Sequence, residues 1–427
     1  MPALAIIFVL GVVAAQAAQA QTFTVLHNFT GGQDGARPQA GLTMDRAGNL
    51  YGTAFEGGGG NCSLGGVVGC GTAFRLSYKG SGRIFTPLYS FQAGNDGSYP
   101  QARVIIGPDG ALYGTTLTGG TKGCYSGYGG YGCGTVFKLT PSPTACKTAL
   151  CPWTENVLYR FTNSPDGRYP GYGDVVFDQV GNLYGTTTLG GNPNGGTVFQ
   201  LTPSNGGWTK SVLYSFTGGL DGAQPYAGVI FNQAGNLYGT TYTGGEGNCL
   251  QITCGVVYKL TPSNGGWTES VLYSFTGGSD GGNPYAGVIF DQASNLYGTT
   301  WFGGLNCSGG SCGLVYELTP SNGGWTESVP HYFTGSDGAN PYAGVIFDQA
   351  GNLYGATPFG GAYEAGAVFK LTPSSGGWTY TSLHDFTGGS DGWKPWGGVV
   401  LDQSGNIYGT TAGGGAYGYG VVWEITP

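Results

Sequence analysis

The residues of this chain best equipped for chemistry are acids, histidines and cysteines, and their spacing limits what each can do. Seven aspartates open an Asp-Gly-x-x-Pro motif: Asp34, Asp96, Asp166, Asp221, Asp280, Asp337 and Asp391. Carboxylates spread round one face are oxygen ligands of the kind calcium takes. Asp before Gly also caps a turn by bonding its own backbone, and presence in every unit reads as a need of the unit itself. The second reading is preferred, so no metal and no cofactor is expected. Nor do seven spread carboxylates form a hydrolytic pair, which stands about 5 to 10 Å apart. Glu56, Glu246 and Glu364 fall outside the pattern, each in a variable loop, and are the acids a polysaccharide hydrolase or lyase would use. His27, His331 and His384 stand at or beside a position that is Tyr elsewhere in the sequence, which reads as structure. The Gly57 to Gly60 run lacks the Gly-Lys-Ser/Thr of a phosphate loop. No catalytic residue is assigned.

The ten cysteines fall into five close pairs: Cys62 with Cys70, Cys124 with Cys133, Cys146 with Cys151, Cys249 with Cys254, and Cys307 with Cys312. Four pairs lie just before a Gly-x-Val-Phe-like segment, and units lacking one member lack both. That is the pattern of loop disulfides in an oxidising compartment. No Cys-x-x-Cys occurs to suggest zinc.

These residues are hung on a repeat. Gly-Asn-Leu-Tyr-Gly-Thr at Gly48 to Thr53 recurs with small changes, with tyrosines at Tyr51, Tyr113, Tyr184, Tyr238, Tyr297, Tyr354 and Tyr408. A period of 54 to 71 residues means a repeat architecture. The unit after Ala227 predicts four strands, at 227–233, 236–241, 255–262 and 267–275. A short turn precedes the second, a Gly-rich loop the third, and Ser263 to Gly266 the fourth. Seven such units predict an all-β, seven-bladed β-propeller. The first strand, Thr22 to Phe29, matches a fourth strand, and Gly420 to Pro427 matches a third. The N-terminal strand is therefore expected to complete the last blade and close the ring.

Residues 21–427 are thus read as one domain. Residues 1–20 stand apart, with an apolar run from Ala3 to Ala15 and a small-x-small site at Ala18 to Ala20. This reads as a secretory signal peptide, although no Lys or Arg precedes the run. A secreted, periplasmic or cell-surface location is expected, with no membrane span or anchor in the mature chain. Charged residues are 9% and the net charge is -8, with no basic stripe for nucleic acid.

Asn-Leu-Tyr-Gly-Thr-Thr, Gly-Thr-Val-Phe-Lys-Leu-Thr-Pro and Leu-Tyr-Ser-Phe-Thr-Gly-Gly-x-Asp-Gly resemble the bacterial GloVer (Gloeo-Verruco) tandem repeat over nearly all of residues 22 to 427. The resemblance implies an exported repeat protein and brings no activity or catalytic residues.

In a propeller the blade links and the loops between strands two and three share one face. Here that set is the variable one, aromatic-rich and holding four of the five cysteine pairs, and binding usually sits on such loops. The candidate ligand-binding residues are Tyr172, Tyr226, Tyr285, Tyr342 and Trp396 at the channel mouth, with Tyr128 and Trp301 in the loops. Exposed rings beside amides and carboxylates suit sugars, so a glycan or cell-surface polymer is the expected ligand of a non-catalytic protein; aromatics that only plug the channel are the equal alternative. A protein-binding scaffold and a polysaccharide-active enzyme are the alternatives. The repeated Asn-Leu-Tyr-Gly tyrosines are read as core between blades.

Overall fold

The computed structural model describes residues 21–64, 66–79, 82–125, 131–141, 153–249, 251–304, 307 and 311–427. Every regular element among them is a strand, and seven four-stranded antiparallel sheets form the ring of a β-propeller. Blade four is representative, with strands Ile230–Phe231, Leu237–Thr241, Val256–Ser263 and Gly266–Ser274. Counting round the ring, blade one begins at Thr43–Met44 and blade seven at Val400–Leu401. Blade seven is completed from outside by Thr22–Asn28, which pairs antiparallel with Val421–Thr426. The ring is therefore closed by joining the start of the described chain to its end.

One expectation needs correction. The innermost strand, expected over seven residues in blade four, is paired over two in every blade. The cause is crowding at the axis, where neighbouring backbones meet. A Cβ on Gly228 would come within 2.0 Å of Asp174 O, and one on Gly397 within 2.6 Å of the Ala40 carbonyl.

The blades are held by seven buried clusters, each drawn mainly from two neighbours. The recurring strand-two glycine makes this packing possible. It pairs across the sheet with the strand-three aromatic, as Gly298 does with Tyr316 and Gly355 with Phe369. A Cβ would meet the Tyr316 hydroxyl at 2.3 Å and the Phe369 ring at 2.6 Å. The adjacent tyrosine is buried in all seven blades, and in six its hydroxyl donates to the aspartate of the one-to-two turn. Examples are Tyr51 to Asp45 at 3.1 Å and Tyr408 to Asp402 at 3.0 Å. Blade four uses Asn232 with Tyr238 instead. These turn aspartates also cap their own turns, as Asp348 does by accepting from Ala350 N and Asn352 N.

Disulfides join Cys62–Cys70, Cys124–Cys133, Cys249–Cys254 and Cys307–Cys312, with Cα separations of 5.0, 5.0, 5.2 and 5.8 Å. Cys146 and Cys151 lie outside the described residues, as does the signal-peptide reading of residues 1–20. Among the described residues no helix is long and apolar enough to cross a membrane. Disulfides with no such helix are consistent with an extracellular or periplasmic location.

Candidate functional site

Each blade link is built by the same device. The residue before its proline takes a left-handed conformation, with φ between +51° and +61° at Arg37, Tyr99, Tyr169, Gln224, Asn283, Asn340 and Lys394. That region is costly for a side chain other than Gly. It is held by the preceding blade, whose loop carbonyl just before strand three accepts the residue's N–H, as Cys254 O does from Asn283 and Cys312 O from Asn340. The proline then seats on the glycine that opens the preceding blade's third strand, so closely that a Cβ on Gly196 would meet Pro225 Cδ at 2.6 Å. With the chain so turned, the residue that follows points at the axis.

In register, the seven axial residues are Gln39, Gln101, Tyr172, Tyr226, Tyr285, Tyr342 and Trp396, with one residue inserted before Tyr172. All but Tyr226 line a central cavity of about 390 Å³. The five aromatics form a continuous arc. Ring centroids are 4.8 Å apart for Tyr172 and Tyr226, 4.9 Å for Tyr226 and Tyr285, 4.4 Å for Tyr285 and Tyr342, and 4.9 Å for Tyr342 and Trp396. Trp301 joins it, parallel to Trp396 at 6.2 Å and edge-on to Tyr285 at 5.4 Å. All six rings are half-buried. They therefore pack on one another, and Tyr172, Tyr285, Tyr342 and Trp396 also present surface to the cavity. Tyr128 lies outside the described residues.

The rest of the wall is polar. Gln39 and Gln101 take the axial place in blades one and two. Arg103 and Asp174, each standing where most other blades have glycine, pair across the seam of blades two and three. Arg103 Nε meets Asp174 Oδ2 at 2.9 Å, and Arg103 N donates to Oδ1 at 2.9 Å. Asp174 is the one acid among the cavity-lining residues. The mouth is thus aromatic over blades three to seven and amide or ionic over blades one to three. Burial raises the Tyr285 hydroxyl far above the ordinary tyrosine range, with the hydroxyls of Tyr242 and Tyr226 reinforcing it. It stays neutral, able both to donate and to accept.

Sequence reasoning missed Tyr242, Phe359, Gln39, Gln101, Arg103 and Asp174. Tyr242 packs on Tyr285 at 4.6 Å, and Phe359 on Trp396 at 5.4 Å. A signal existed for each. Tyr242 holds the repeat place of Trp301 and Phe359 the next one. The two glutamines follow the link prolines as Tyr226 does, and Arg103 with Asp174 break a run of glycines in adjacent blades.

The other acids are placed apart from this mouth. Every Asp-Gly-x-x-Pro aspartate has donors in its own link and strand four. Asp280 accepts from Thr276 N at 2.8 Å and Tyr273 OH at 3.2 Å, and Asp391 from Thr387 N at 2.9 Å. His27, His331 and His384 take the place of that tyrosine, with Nε2 3.1, 2.9 and 3.1 Å from Asp34, Asp337 and Asp391. They stand at the outer end of strand four, beside the link face rather than remote from it. Burial raises Asp34, but hydrogen bonds from His27 and Thr30 outweigh it and hold the carboxyl below its ordinary range. Among the described residues no three His, Cys, Asp or Glu gather to hold a metal.

Glu56 is fully buried and paired with Arg37 at 3.0 Å, and burial pushes its carboxyl up to about 7 against the pull of that arginine. Glu246 and Glu364 are exposed, in blades four and six. Among the described residues no hydrogen bond or ion pair joins any two of these glutamates.

Several solved structures are similar to this chain. A gluconolactonase from Xanthomonas campestris is 13% identical, with a TM-score of 0.43 over 86% of this chain and 96% of its own. PorZ, a surface component of the type-IX secretion system of Porphyromonas gingivalis, is 14% identical, with a TM-score of 0.50 over 90% of this chain and 46% of its own. A Trypanosoma rangeli sialidase is 10% identical, with a TM-score of 0.42 over 96% of this chain and 59% of its own. At 14% identity the likeness to PorZ speaks for the fold alone. No curated protein matches the sequence. Residues 9–143, 123–311 and 306–427 match the Gloeobacter/Verrucomicrobia repeat.

Proposed function

The chain belongs to the Gloeobacter/Verrucomicrobia repeat family, and we propose that it is an exported, non-catalytic propeller that binds a glycan or cell-surface polymer at the mouth of its channel. One observation carries the reading. Five half-buried rings, Tyr172, Tyr226, Tyr285, Tyr342 and Trp396, run unbroken through blades three to seven, four of them lining a cavity whose remaining wall offers Gln39, Gln101 and the Arg103–Asp174 pair. A sugar ring has an apolar face of C–H groups and an equator of hydroxyls. The arc receives the first, while amides and a guanidinium bond the second. Rims of exposed aromatics, Tyr125, Tyr131, Tyr363 and Tyr417, extend the same face outward and suit a polymer better than a single sugar.

Binding to a panel of soluble and insoluble polysaccharides tests this, with and without EDTA. Wild type is expected to bind, and the Tyr285→Ala/Trp396→Ala variant to lose at least tenfold in affinity, as stacking residues do at about 1–3 kcal/mol each. Absence of binding to any glycan, or binding unchanged in that variant, refutes it. Capture of a protein partner through the same face would then take its place.

A further inference from the structure

We propose that the seam of blades six and seven holds a subsite for a carboxylate-bearing sugar, with Lys394 as its cation. This rests on the glycan reading above and names the class of glycan.

The aromatic surface does not stop at the cavity. From Trp396 it passes to Phe359, whose ring is 5.4 Å away, and on toward the rim at Trp393, which is 40% exposed. Between these rings lies the ammonium of Lys394, 5.2 Å from the Phe359 centroid and 4.0 Å from that of Trp393. Its backbone is fixed. It carries the left-handed pre-proline conformation, donates its N–H to Ala365 O at 3.1 Å and accepts from Ala412 N at 3.0 Å. From that fixed backbone the charged head lies against two aromatic rings.

What it lacks is a counter-charge. The chain has 23 acidic and 15 basic side chains, yet among the described residues no ion pair forms at Lys394. Glu364, next to the Ala365 whose carbonyl accepts the Lys394 N–H, is exposed and among the described residues forms no ion pair with it, and the two other acids nearest in the repeat are engaged elsewhere. Asp391 accepts from Thr387 N and its hydroxyl and is bonded to His384, and Asp385 accepts from Ala362 N and Ser382 Oγ. Arg37 and Arg103, by contrast, are matched internally by Glu56 and Asp174. A sugar chain laid from Trp396 to Trp393 passes the ammonium. A carboxylate on it gains a charge-assisted bond, strengthened where the rings exclude water, that a hydroxyl cannot match.

The test compares polygalacturonate and alginate with their neutral esters, using wild type, Lys394→Gln, Lys394→Arg and Trp396→Ala, with thermal midpoints to confirm folding. The acidic polymers are expected to bind about tenfold more tightly than the esters, the scale of one hydrogen bond to a charged group. Lys394→Gln should abolish that preference and flatten the salt dependence, and Lys394→Arg should retain both. Equal binding of acid and ester by wild type, lost from both in Trp396→Ala, overturns the acidic class and leaves the glycan reading standing. Binding of neither these nor any other polysaccharide overturns both.

Discussion

Three half-buried glutamates at the outer seams should make the stability of the ring fall as pH rises through neutrality. Glu155, Glu269 and Glu327 occupy one repeat position on strand four, facing the link that enters their blade. Burial, then the negative charge of Asp96, Asp221 and Asp280 respectively, pushes each carboxyl up to about 7 from 4.5. The Oε1 atom of each is buried without a protein partner. Blade three shows what the position prefers. There Lys210, its side chain 3% exposed, donates Nζ to Asp166 Oδ1 at 2.7 Å.

A carboxyl whose folded value is raised binds its proton more tightly in the folded chain. Its contribution is complete below pH 4.5 and is lost as pH rises through about 7. Raising a carboxyl from 4.5 to about 7 is at most about 3.4 kcal/mol per site, and solvent screening at these half-open positions cuts that to roughly 1 kcal/mol. Urea unfolding at pH 5 and pH 8 measures it. The triple variant Glu155→Gln/Glu269→Gln/Glu327→Gln should gain about 3 kcal/mol on wild type at pH 8 relative to pH 5. Other titrating groups, including Glu56, which shifts the same way, cancel in that comparison. Glu269→Lys, copying blade three, should stabilise at pH 8. A variant-to-wild-type difference independent of pH would refute the reasoning.

Two further outcomes follow from the blade interiors. Tyr258 and Tyr316 have fully buried hydroxyls with no protein partner, at a position that is Phe74, Phe137, Phe199 and Phe369 in other blades. Tyr258→Phe should leave stability unchanged or raise it by up to about 1 kcal/mol in urea unfolding, and a loss beyond that would contradict the orphan hydroxyl. Gly355→Ala should cost about 1–3 kcal/mol, because the new Cβ meets the buried Phe369 ring; a neutral variant would mean that ring can move aside.

Most of the fold was legible because a closed ring repeats its structural needs seven times. The tyrosine, the strand-two glycine and the link aspartate each recur, so chance matches could be set aside. What stayed hidden was local and unrepeated. Nothing in Asp-Gly-x-x-Pro announces a left-handed residue before proline, since proline ordinarily pushes its predecessor to extended backbone. The seven-residue inner strand failed because alternation reports burial, while pairing at the axis is limited by the meeting of backbones such as Gly228 and Asp174. The channel aromatics could be named from their place after the link prolines. Their partners Tyr242 and Phe359 could not be joined to them without the loop geometry.

Departure from the repeat is the natural sign of function in a symmetric ring, but the seams show that it is not enough. Blades differ there too. Where strand four supplies His27, His331 or His384, the facing residue is an aromatic, Phe85, Tyr380 or Phe23, stacked at 3.8, 4.7 and 3.9 Å. Where it supplies tyrosine, the facing residue is Glu155, Lys210, Glu269 or Glu327. Both solutions fill one interface, so that asymmetry is packing. The mouth differs in kind. Its departures are half-buried, belong to five consecutive blades and border one cavity, with a paired arginine and aspartate beside the blade-three end of the arc. Packing alone explains tyrosine at a seam, where a ring fills the gap between two sheets. At an open channel no such gap calls for aromatics, and their gathering over five blades is what the proposed binding surface would use.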